Sequence, residues 1–323
     1  MFFRLRPEPA VHLTPFQRLA PARERFEGIA FSATGTMAVA TSDSDVVLLF
    51  ERLADGRYAD VPYRRIGGPQ SAIKYPHDVS FAKVDGVELM AVAQRGGAIA
   101  IFAKKAGEKD FGEAPVFEIK GADARLDFSD GVAFVPPDNR LLAACNLTRG
   151  TVTFSRLHSL SPVRFDTVPE FELRHWRIFH PDGLAFSNCG GWLGLANHGN
   201  HTVAIFERTG GSASRYGPRP AALIRDRYLR YPHSVAFTED GQSLLVTNAG
   251  ANYVNVYRQE TGFFGKRWVR TGRTVAGPEK TFRKVNAQNK MEGGPKGIAI
   301  YGDTVAICSP EFGIALYKRG DAA

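Results

Sequence analysis

The hydrophobic positions of this 323-residue chain fall into short runs that repeat at nearly regular intervals. Six similar phrases open the repeats: EGIAF at 27, HDVSF at 77, DGVAF at 130, DGLAF at 182, HSVAF at 233 and KGIAI at 296, with spacings of 50, 53, 52, 51 and 63 residues. Two more apolar runs follow each phrase, such as WLGLANH and TVAIFER in the fourth repeat. Short runs of Val, Ile, Ala and Phe between Gly, Asp and Asn predict strands rather than helices.

A fourth, more polar strand fits in most spacers, for example around 58–66 and 115–119. Four strands per repeat of about fifty residues is typical of a propeller blade, so the sequence predicts an all-β, six-bladed β-propeller with four-stranded antiparallel blades. Segment 11–20, VHLTPFQRLA, is expected to supply the outer strand of the last blade. That pairing would close the ring and remove an open sheet edge. One domain is expected over 1–323.

The first residue of each repeat is the position that says most about function. The innermost strand of a propeller blade runs along the central channel, so the residue that starts it is expected at the channel mouth. All six residues at this position are ionisable: Glu27, His77, Asp130, Asp182, His233 and Lys296. We call these six residues the polar ring. The alternative is that the Asp-Gly pairs are turn chemistry alone, because Asp before Gly is a common turn former.

A second ring is expected at the end of the second strand of each repeat. It consists of Thr41, Gln94, Asn146, Asn197, Asn248 and Ser309. Carboxylates with amide oxygens suit Ca²⁺, whereas the two imidazoles of the polar ring extend the choice to manganese, iron or zinc. The asparagines have a simpler alternative as hydrogen-bonding residues of the blade turns.

Several of these phrases resemble known propeller repeats. HPDGLAFS with WLGLANHGNHTVAIFER resembles an NHL-type repeat, and LLVTNAGANYVNVY resembles the YVTN repeat of lactonase-like propellers. The six-blade count and the EG, DG and PDG strand openings are similar to the regucalcin/gluconolactonase superfamily. The resemblance covers about 27–318. It is specific for the architecture and weak for function, because propellers host many activities.

The resemblance implies a divalent metal at the channel mouth. Carried over by motif, its ligands would be Glu27, Asp130 and Asp182, with His233 at a position that is usually acidic. The full predicted ligand set is Glu27, Asp130, Asp182, His233, Asn197 and Asn248. His77 is then a further ligand or an acid/base group.

Two basic side chains complete the predicted chemistry. Lys296 would meet a carboxylate or a developing oxyanion, and Arg95 a carboxylate or phosphate of the substrate. The leading hypothesis is metal-assisted hydrolysis of a lactone or ester on a small anionic or carbonyl-containing substrate. A metal-free lyase on the same ring and a non-catalytic binding propeller remain open. The run NHGNH at 197–201, including His198, is interpreted as structural.

The composition of the chain limits its possible partners and its cellular location. The net charge of +8 is concentrated in 266–284, which carries seven basic residues and one acidic residue. A solvated outer face, an anion-steering surface and a docking face all fit this segment. Nucleic-acid binding is disfavoured, because few aromatic residues are interleaved for base stacking. No apolar run is long enough for a membrane span. Three cysteines without paired spacing indicate reduced thiols, so a cytoplasmic protein is expected. A ring-shaped monomer is the simplest oligomeric state for the predicted fold.

Overall fold

The structure, a computed structural model, describes residues 11–19, 24–209, 216–262 and 265–321. The chain begins with β1 (Val11–Leu19). Blade one contains β2 (Phe26–Phe31), β3 (Met37–Thr41), β4 (Val46–Phe50) and β5 (Arg64–Gly67). Blade two contains β6 (Pro76–Val84), β7 (Val87–Gln94), β8 (Ala98–Lys104) and β9 (Phe117–Ile119). Blade three contains β10 (Ser129–Phe134), β11 (Leu141–Asn146), β12 (Thr151–Leu160), β13 (Val163–Phe165) and β14 (Phe171–Arg174).

The second half of the chain repeats this pattern. Blade four contains β15 (Pro181–Phe186), β16 (Trp192–Asn197), β17 (Thr202–Glu207) and β18 (Ala222–Arg225). Blade five contains β19 (Pro232–Phe237), β20 (Ser243–Asn248), β21 (Tyr253–Gly262) and β22 (Gly265–Val275), and it is followed by helix α1 (Glu279–Gln288). Blade six contains β23 (Ile298–Tyr301), β24 (Thr304–Ser309) and β25 (Gly313–Asp321).

Each blade is an antiparallel sheet whose strands follow one another in chain order, as in β2-β3-β4-β5. The last sheet has the order β23-β24-β25-β1, so the N-terminal strand is its outer strand. The six-bladed propeller closed by this strand is therefore confirmed. Blade three departs from the four-strand pattern, because β12 continues beyond its pairing with β14 and forms an extra hairpin with β13.

The hydrophobic core lies between blades rather than within one layer. The described residues form six apolar clusters, each shared by two neighbouring blades, and one of them joins blade six to blade one. A strand in the middle of a blade is therefore covered on both faces. This explains why second and third runs such as MAVAT and VVLLF are apolar at nearly every position instead of alternating.

The longest of the five spacings, 63 residues, precedes blade six, and its length predicts an exposed outer strand of blade five followed by an enlarged loop. The outer strand is β22, which pairs with β21. In place of the loop alone, residues 279–288 form helix α1, which has no buried side chain. The segment contains no Gly or Pro and starts with Glu279, an acidic residue that favours a helix N-terminus. No helix in the described ranges is long and apolar enough to span a membrane.

Candidate functional site

The structure brings the six residues of the polar ring together at one end of the channel. Five of them are the second residues of inner strands β2, β6, β10, β15 and β19, and Lys296 lies two residues before β23. All six are buried. The imidazole rings of His77 and His233, which come from opposite blades, stack with centroids 5.1 Å apart. The space that these side chains enclose is about 10 Å³, room for about one water molecule or one ion.

Glycines allow the six inner strands to approach this closely. A Cβ atom at Gly131 would lie 2.5 Å from the carbonyl oxygen of Asp182, and one at Gly183 would lie 2.5 Å from that of His233. Neither glycine has a positive φ, and both are strand residues. The interpretation of these Asp-Gly pairs as turns is therefore wrong. The glycine is needed for close approach of the backbones, which places the aspartates beside each other.

Asp78 stands where four other blades have glycine. Its carboxylate accepts a hydrogen bond from the backbone N–H of Val132 on the inner strand of blade three. Burial raises the pKa of Asp78 to about 7, although backbone N–H groups of Val132 and Val79 act in the opposite direction. With Ser234, Asp78 borders both the small space inside the ring and a chamber of about 270 Å³ farther along the channel.

On one side of the ring, Glu27 belongs to a network of charged side chains. Its Oε2 lies 2.8 Å from Lys296 Nζ, and its Oε1 accepts a hydrogen bond from Arg25 Nε at 2.6 Å. Glu292, from the loop after helix α1, bridges the same two cations, 2.8 Å from Arg25 Nη2 and 3.1 Å from Lys296 Nζ. Burial would raise the pKa of Glu27, but Lys296 and the ring histidines hold it well below its usual range.

Asp130 and His77 form a second network with Arg95. Asp130 accepts two hydrogen bonds from this guanidinium, from Nε at 2.7 Å and from Nη2 at 3.2 Å. His77 Nδ1 lies 2.9 Å from the carbonyl oxygen of Asp130, so it carries the proton, and Nε2 accepts from Arg95 Nη2 at 2.9 Å. Burial and Arg95 lower the pKa of His77 to about 3. His77 is therefore a neutral imidazole at physiological pH.

The third part of the ring is centred on Asp182, whose ionised form Arg95 and Lys296 favour from a distance rather than by direct contact. The described residues include no lysine or arginine that forms an ion pair with Asp182; its neighbours are His77, His198 and His233 at 3.3 to 3.8 Å. Burial and the charge of Asp130 raise the pKa of Asp182 well above its usual value. Burial also lowers the pKa of His198 and of His233 to about 4. Buried atoms of four residues at the ring, Glu27 Oε2, Asp182 Oδ1, His198 Nδ1 and His233 Nε2, have no hydrogen-bond partner among the described residues, and His233 Nε2 lies 3.5 Å from Glu27 Oε2.

The two predicted asparagine ligands have a different role. Asn197 Oδ1 accepts the backbone N–H of Phe179, and Asn248 Oδ1 accepts that of Arg230. Gln94 and Asn146 accept the backbone N–H of Lys74 and of Asp127 in the same way. In each of these four blades the acceptor holds the residue three positions before the polar ring, so these amides position the inner strand. This placement argues against Asn197 and Asn248 as metal ligands.

The residues that do reach the ring come one position later. Ser42, Arg95 and His198 each directly follow the second strand, and each contacts a ring carboxylate: Glu27, Asp130 and Asp182, respectively. Successive residues point in different directions as a strand ends, and the repeat alone does not show which of the two faces inward. The contact of His198 with the ring therefore could not be predicted. His198 lies in a short 3₁₀ turn, His198–Asn200, and its ring packs on Tyr231.

Segment 266–284 lies away from the ring, on β22 and α1. Several of its basic side chains form ion pairs, including Arg270 with Asp226, Arg267 with Glu260 and Arg283 with Glu279. These pairs neutralise part of its charge. The three interpretations of this segment stay predictions, whereas the loop after it carries Glu292 to the ring.

No protein-family model matches the chain, and no curated protein matches it. Several solved structures are similar to this chain. A putative 6-phosphogluconolactonase from Bacteroides uniformis is 15% identical, covering 90% of this chain and 77% of that one, with a TM-score of 0.54. Virginiamycin B lyase from Staphylococcus aureus is 11% identical, covering 96% and 99%, with a TM-score of 0.54. The β-propeller domain of Myceliophteria thermophila Cps50 (Swd1) is 13% identical, covering 94% and 86%, with a TM-score of 0.55.

At these identities the similarities show the propeller fold alone. Membership of the NHL-type or gluconolactonase-like families stays a prediction. The three named proteins also differ from one another in what their names describe, which agrees with the rule that a fold does not determine a function. The chemistry of the polar ring is therefore the main indication of function.

Proposed function

We propose that this propeller is a small-molecule enzyme whose reaction centre is the polar ring, and that it hydrolyses a lactone or ester with the help of a divalent metal. The observation that carries the proposal is the group of buried atoms without partners at Asp182, His198 and His233. Burying polar groups without partners is costly, so a folded protein tolerates it mainly where a ligand completes the site.

The donor set fits a metal ion. Carboxylate and imidazole groups surround a space of about 10 Å³, the size of one ion or one water molecule. Two sets of three ring residues, Glu27 with His77 and His233, and His77 with Asp130 and Asp182, have potential ligand atoms within 4.8 Å of one another. When bound, a divalent ion supplies polarisation of the substrate carbonyl and acidification of water.

The substrate itself has to bind outside the ring, because the enclosed space is too small for it. The side chains of Arg95 and Arg25 are 24% and 30% exposed and mark the side from which it can enter. Arg95 uses Nε and Nη2 for Asp130 and His77, which leaves the two N–H groups of Nη1 for a substrate carboxylate. Lys296 Nζ donates to the developing oxyanion. His77 Nε2 accepts a proton when binding of the substrate at Nη1 draws Nη2 of Arg95 away from it.

Two other functions have some support. Neutral imidazoles at His77 and His233 are also suitable bases for a metal-free lyase. The ion pairs Lys296–Glu27 and Arg95–Asp130 agree with a non-catalytic binding propeller, because they neutralise two of the three ring carboxylates within the protein. These ion pairs do not account for Asp182, a buried carboxylate without an ion pair to a described lysine or arginine. For this reason we favour the enzyme.

Incubation of untagged protein with a panel of lactones and esters in ¹⁸O-labelled water tests the proposal. Hydrolysis puts one ¹⁸O atom into the product carboxylate, whereas elimination by a lyase puts in none. We expect labelled product that is lost on adding a chelator and in Asp182→Asn, and retained in the surface control Asp85→Asn. Unlabelled product would support the lyase, and no turnover of any substrate with any added metal would support the binding propeller.

A further inference from the structure

Aromatic side chains stand at the same place in four successive blades, two residues before the polar ring. They are Tyr75, Phe128, His180 and Tyr231, and we call them the aromatic collar. Each directly precedes the first residue of an inner strand, so the collar lies at the end of the channel that holds the ring. The proposed hydrolysis assigns no role to any of them.

All four collar residues have a left-handed backbone. Their φ angles are 51° for Tyr75, 44° for Phe128, 46° for His180 and 51° for Tyr231. Tyrosine and phenylalanine seldom adopt this conformation, because Cβ then crowds the backbone, whereas glycine adopts it freely. A turn without a further task would be expected to contain glycine or asparagine at these positions. Aromatic residues at one strained position in four blades therefore indicate a shared role of their side chains.

Neighbouring blades hold this backbone in place. The N–H group of Tyr75 donates to Asp45 Oδ1 at 2.6 Å, and that of Tyr231 donates to His201 Nδ1 at 2.9 Å. Each acceptor comes from the preceding blade, from the turn that follows its second strand. A strained conformation persists where its surroundings determine it in this way. The positions of the two tyrosines, in opposite blades, are therefore built into the fold.

The two collar tyrosines contact side chains that themselves reach the ring. The guanidinium carbon of Arg95, which binds a ring carboxylate, lies 5.6 Å from the centroid of the Tyr75 ring. The ring of Tyr231 packs on His198, which contacts another ring carboxylate, with 5.1 Å between the ring centroids. The aromatic surface thus begins where the polar ring ends.

Much of this aromatic surface is open to solvent. Tyr75 is 39% exposed and Phe128 is 47% exposed. Phe179, which stacks on His180 with ring centroids 4.4 Å apart, is 46% exposed. Ligand sites combine aromatic and apolar walls with a few polar groups that fix orientation, and aromatic faces stack well on other flat rings. The collar therefore fits a planar aromatic group better than a flexible aliphatic chain.

The charges beside the collar determine the sign of the ligand. The residue before each collar tyrosine is basic and exposed, Lys74 in blade two and Arg230 in blade five, whereas Asp127 in blade three is acidic. Nη1 of Arg95 forms no hydrogen bond within the described part of the chain. Cations attract a carboxylate and repel an ammonium ligand, which aromatic faces would otherwise bind. The ligand is therefore expected to be an anion.

We infer that the aromatic collar and Arg95 form a binding site for an aromatic carboxylate, with the flat ring of the ligand against Tyr75 and Phe128 and its carboxylate on Arg95 Nη1. As the substrate class of the enzyme, an aromatic carboxylate that also carries the ester or lactone, this inference rests on the proposed function. As a binding site, it rests only on the geometry and charge of the collar. The Tyr-Pro-His motif of blades two and five then has two parts, a tyrosine for the ligand and a histidine for the ring.

The test uses benzoate as the probe and measures its binding to full-length, untagged protein by titration in saturation-transfer NMR. Cyclohexanecarboxylate keeps the charge without the flat ring, and benzyl alcohol keeps the ring without the charge. We expect each of them to bind about fivefold more weakly than benzoate, or weaker still. Tyr75→Gly and Phe128→Gly should each weaken benzoate binding by about the same factor, and Tyr75→Phe should bind it like wild type.

The glycine variants separate binding from folding. Glycine suits the left-handed backbone at positions 75 and 128, so both variants should stay folded, which circular dichroism checks. The matched control is Tyr63→Gly. Tyr63 is 45% exposed and lies beside Thr36, in the turn between β2 and β3 at the far end of blade one. Its replacement should leave the affinity for benzoate unchanged.

Equal affinity for benzoate in wild type, Tyr75→Gly and Phe128→Gly would overturn the inference, as would equal binding of cyclohexanecarboxylate or no binding of benzoate. Tighter binding of benzyltrimethylammonium would show a site for cations and overturn it as well. The outcome for the proposed function is separate. Benzoate bound at the collar without turnover of any aromatic ester or lactone refutes the enzyme and keeps the site; ester hydrolysis that is unchanged in Tyr75→Gly and Phe128→Gly, without a preference for aromatic substrates, refutes the collar and keeps the hydrolase.

Discussion

Residues of the same type in this channel have different charge states because their partners differ. Glu27 forms direct ion pairs with Lys296 and Arg25 and stays ionised, whereas burial and the neighbouring Asp130 raise the pKa of Asp182, which no direct ion pair opposes. Asp78 is a third case. It accepts backbone hydrogen bonds, which favour its ionised form, but it is buried between closely packed inner strands. Burial has the larger effect and raises its pKa to about 7. The surroundings of a carboxylate, which depend on the blades beside it, set its charge more than its own position in the repeat does.

The raised pKa of Asp78 makes a pH-dependent stability difference measurable. Between about pH 4 and pH 7, folded protein keeps on Asp78 a proton that the unfolded chain has lost, so the free energy of unfolding falls as the pH rises through this window. Asn does not ionise, so the Asp78→Asn variant should not show this decrease in the free energy of unfolding. We expect the variant to gain about 3 kcal/mol relative to wild type between pH 4 and pH 7, measured by urea unfolding at both values.

The control for Asp78→Asn is Asp85→Asn, in the exposed turn between β6 and β7, where Asp85 pairs with Arg140. Its stability relative to wild type should change little over the same pH range. A constant difference between Asp78→Asn and wild type at pH 4 and pH 7 would show that Asp78 ionises normally in the folded protein.

At the scale of single elements, the sequence predicted inner strands and their first residues well, because apolar runs and polar starts repeat in register. The sequence did not show whether the last residue of each second strand, or the residue after it, faces the polar ring. Asn197 and His198 are neighbours, and only the path of the chain after β16 decides that the amide holds a loop while the imidazole enters the site. Helix α1 was not predicted because it is only ten residues long, is mostly polar and buries no side chain, so the segment does not differ clearly from an exposed loop.

The glycines of the inner strands provide a test at this scale. A Cβ atom at Gly183 would lie 2.5 Å from the carbonyl oxygen of His233, which is backbone and cannot rotate away. Gly183→Ala therefore has to move β15 away from β19 and should lower the free energy of unfolding by about 2–3 kcal/mol. Gly272→Ala on β22 is the matched control, because a Cβ atom added there would have no described atom within 4 Å.

Chemical denaturation of the two alanine variants measures this difference. Gly272→Ala should stay close to wild type, since it replaces a strand glycine without any clash. If Gly183→Ala is as stable as Gly272→Ala, the close approach of blades four and five does not constrain the ring.

At the scale of the whole molecule, the architecture was predictable and the chemistry only partly so. Six repeats with the same strand pattern leave few arrangements other than a closed ring, because each blade has to bury both faces against neighbours. The charge pairing inside the ring depends on which blades are adjacent and on side chains such as Arg25 and Glu292 that lie outside the repeat motif. Those partners are far apart in sequence, and their contacts appear only once the ring is closed.

Closure itself yields the last prediction. Strand β1 pairs with β25 over eight residue pairs, and Leu19 joins the apolar cluster between blades six and one. Gln17 adds a link to blade one, where its side chain donates to the carbonyl oxygen of Tyr58 and accepts the N–H of the same residue. Deletion of residues 1–22 should therefore expose the edge of β25 and part of two cores, so that the protein unfolds or associates through that edge.

Size-exclusion chromatography and thermal unfolding of the truncated protein measure this, with a synthetic peptide of residues 11–19 added as a rescue. Because the missing strand contributes backbone hydrogen bonds as well as Leu13 and Leu19, the peptide should restore a cooperative transition in a concentration-dependent way. Gln17→Ala, which keeps the strand and removes only the link to Tyr58, should remain a folded monomer with a modest loss of stability. A truncated chain that melts like wild type as a monomer would mean that blades one and six hold the ring closed through their own core, without the strand.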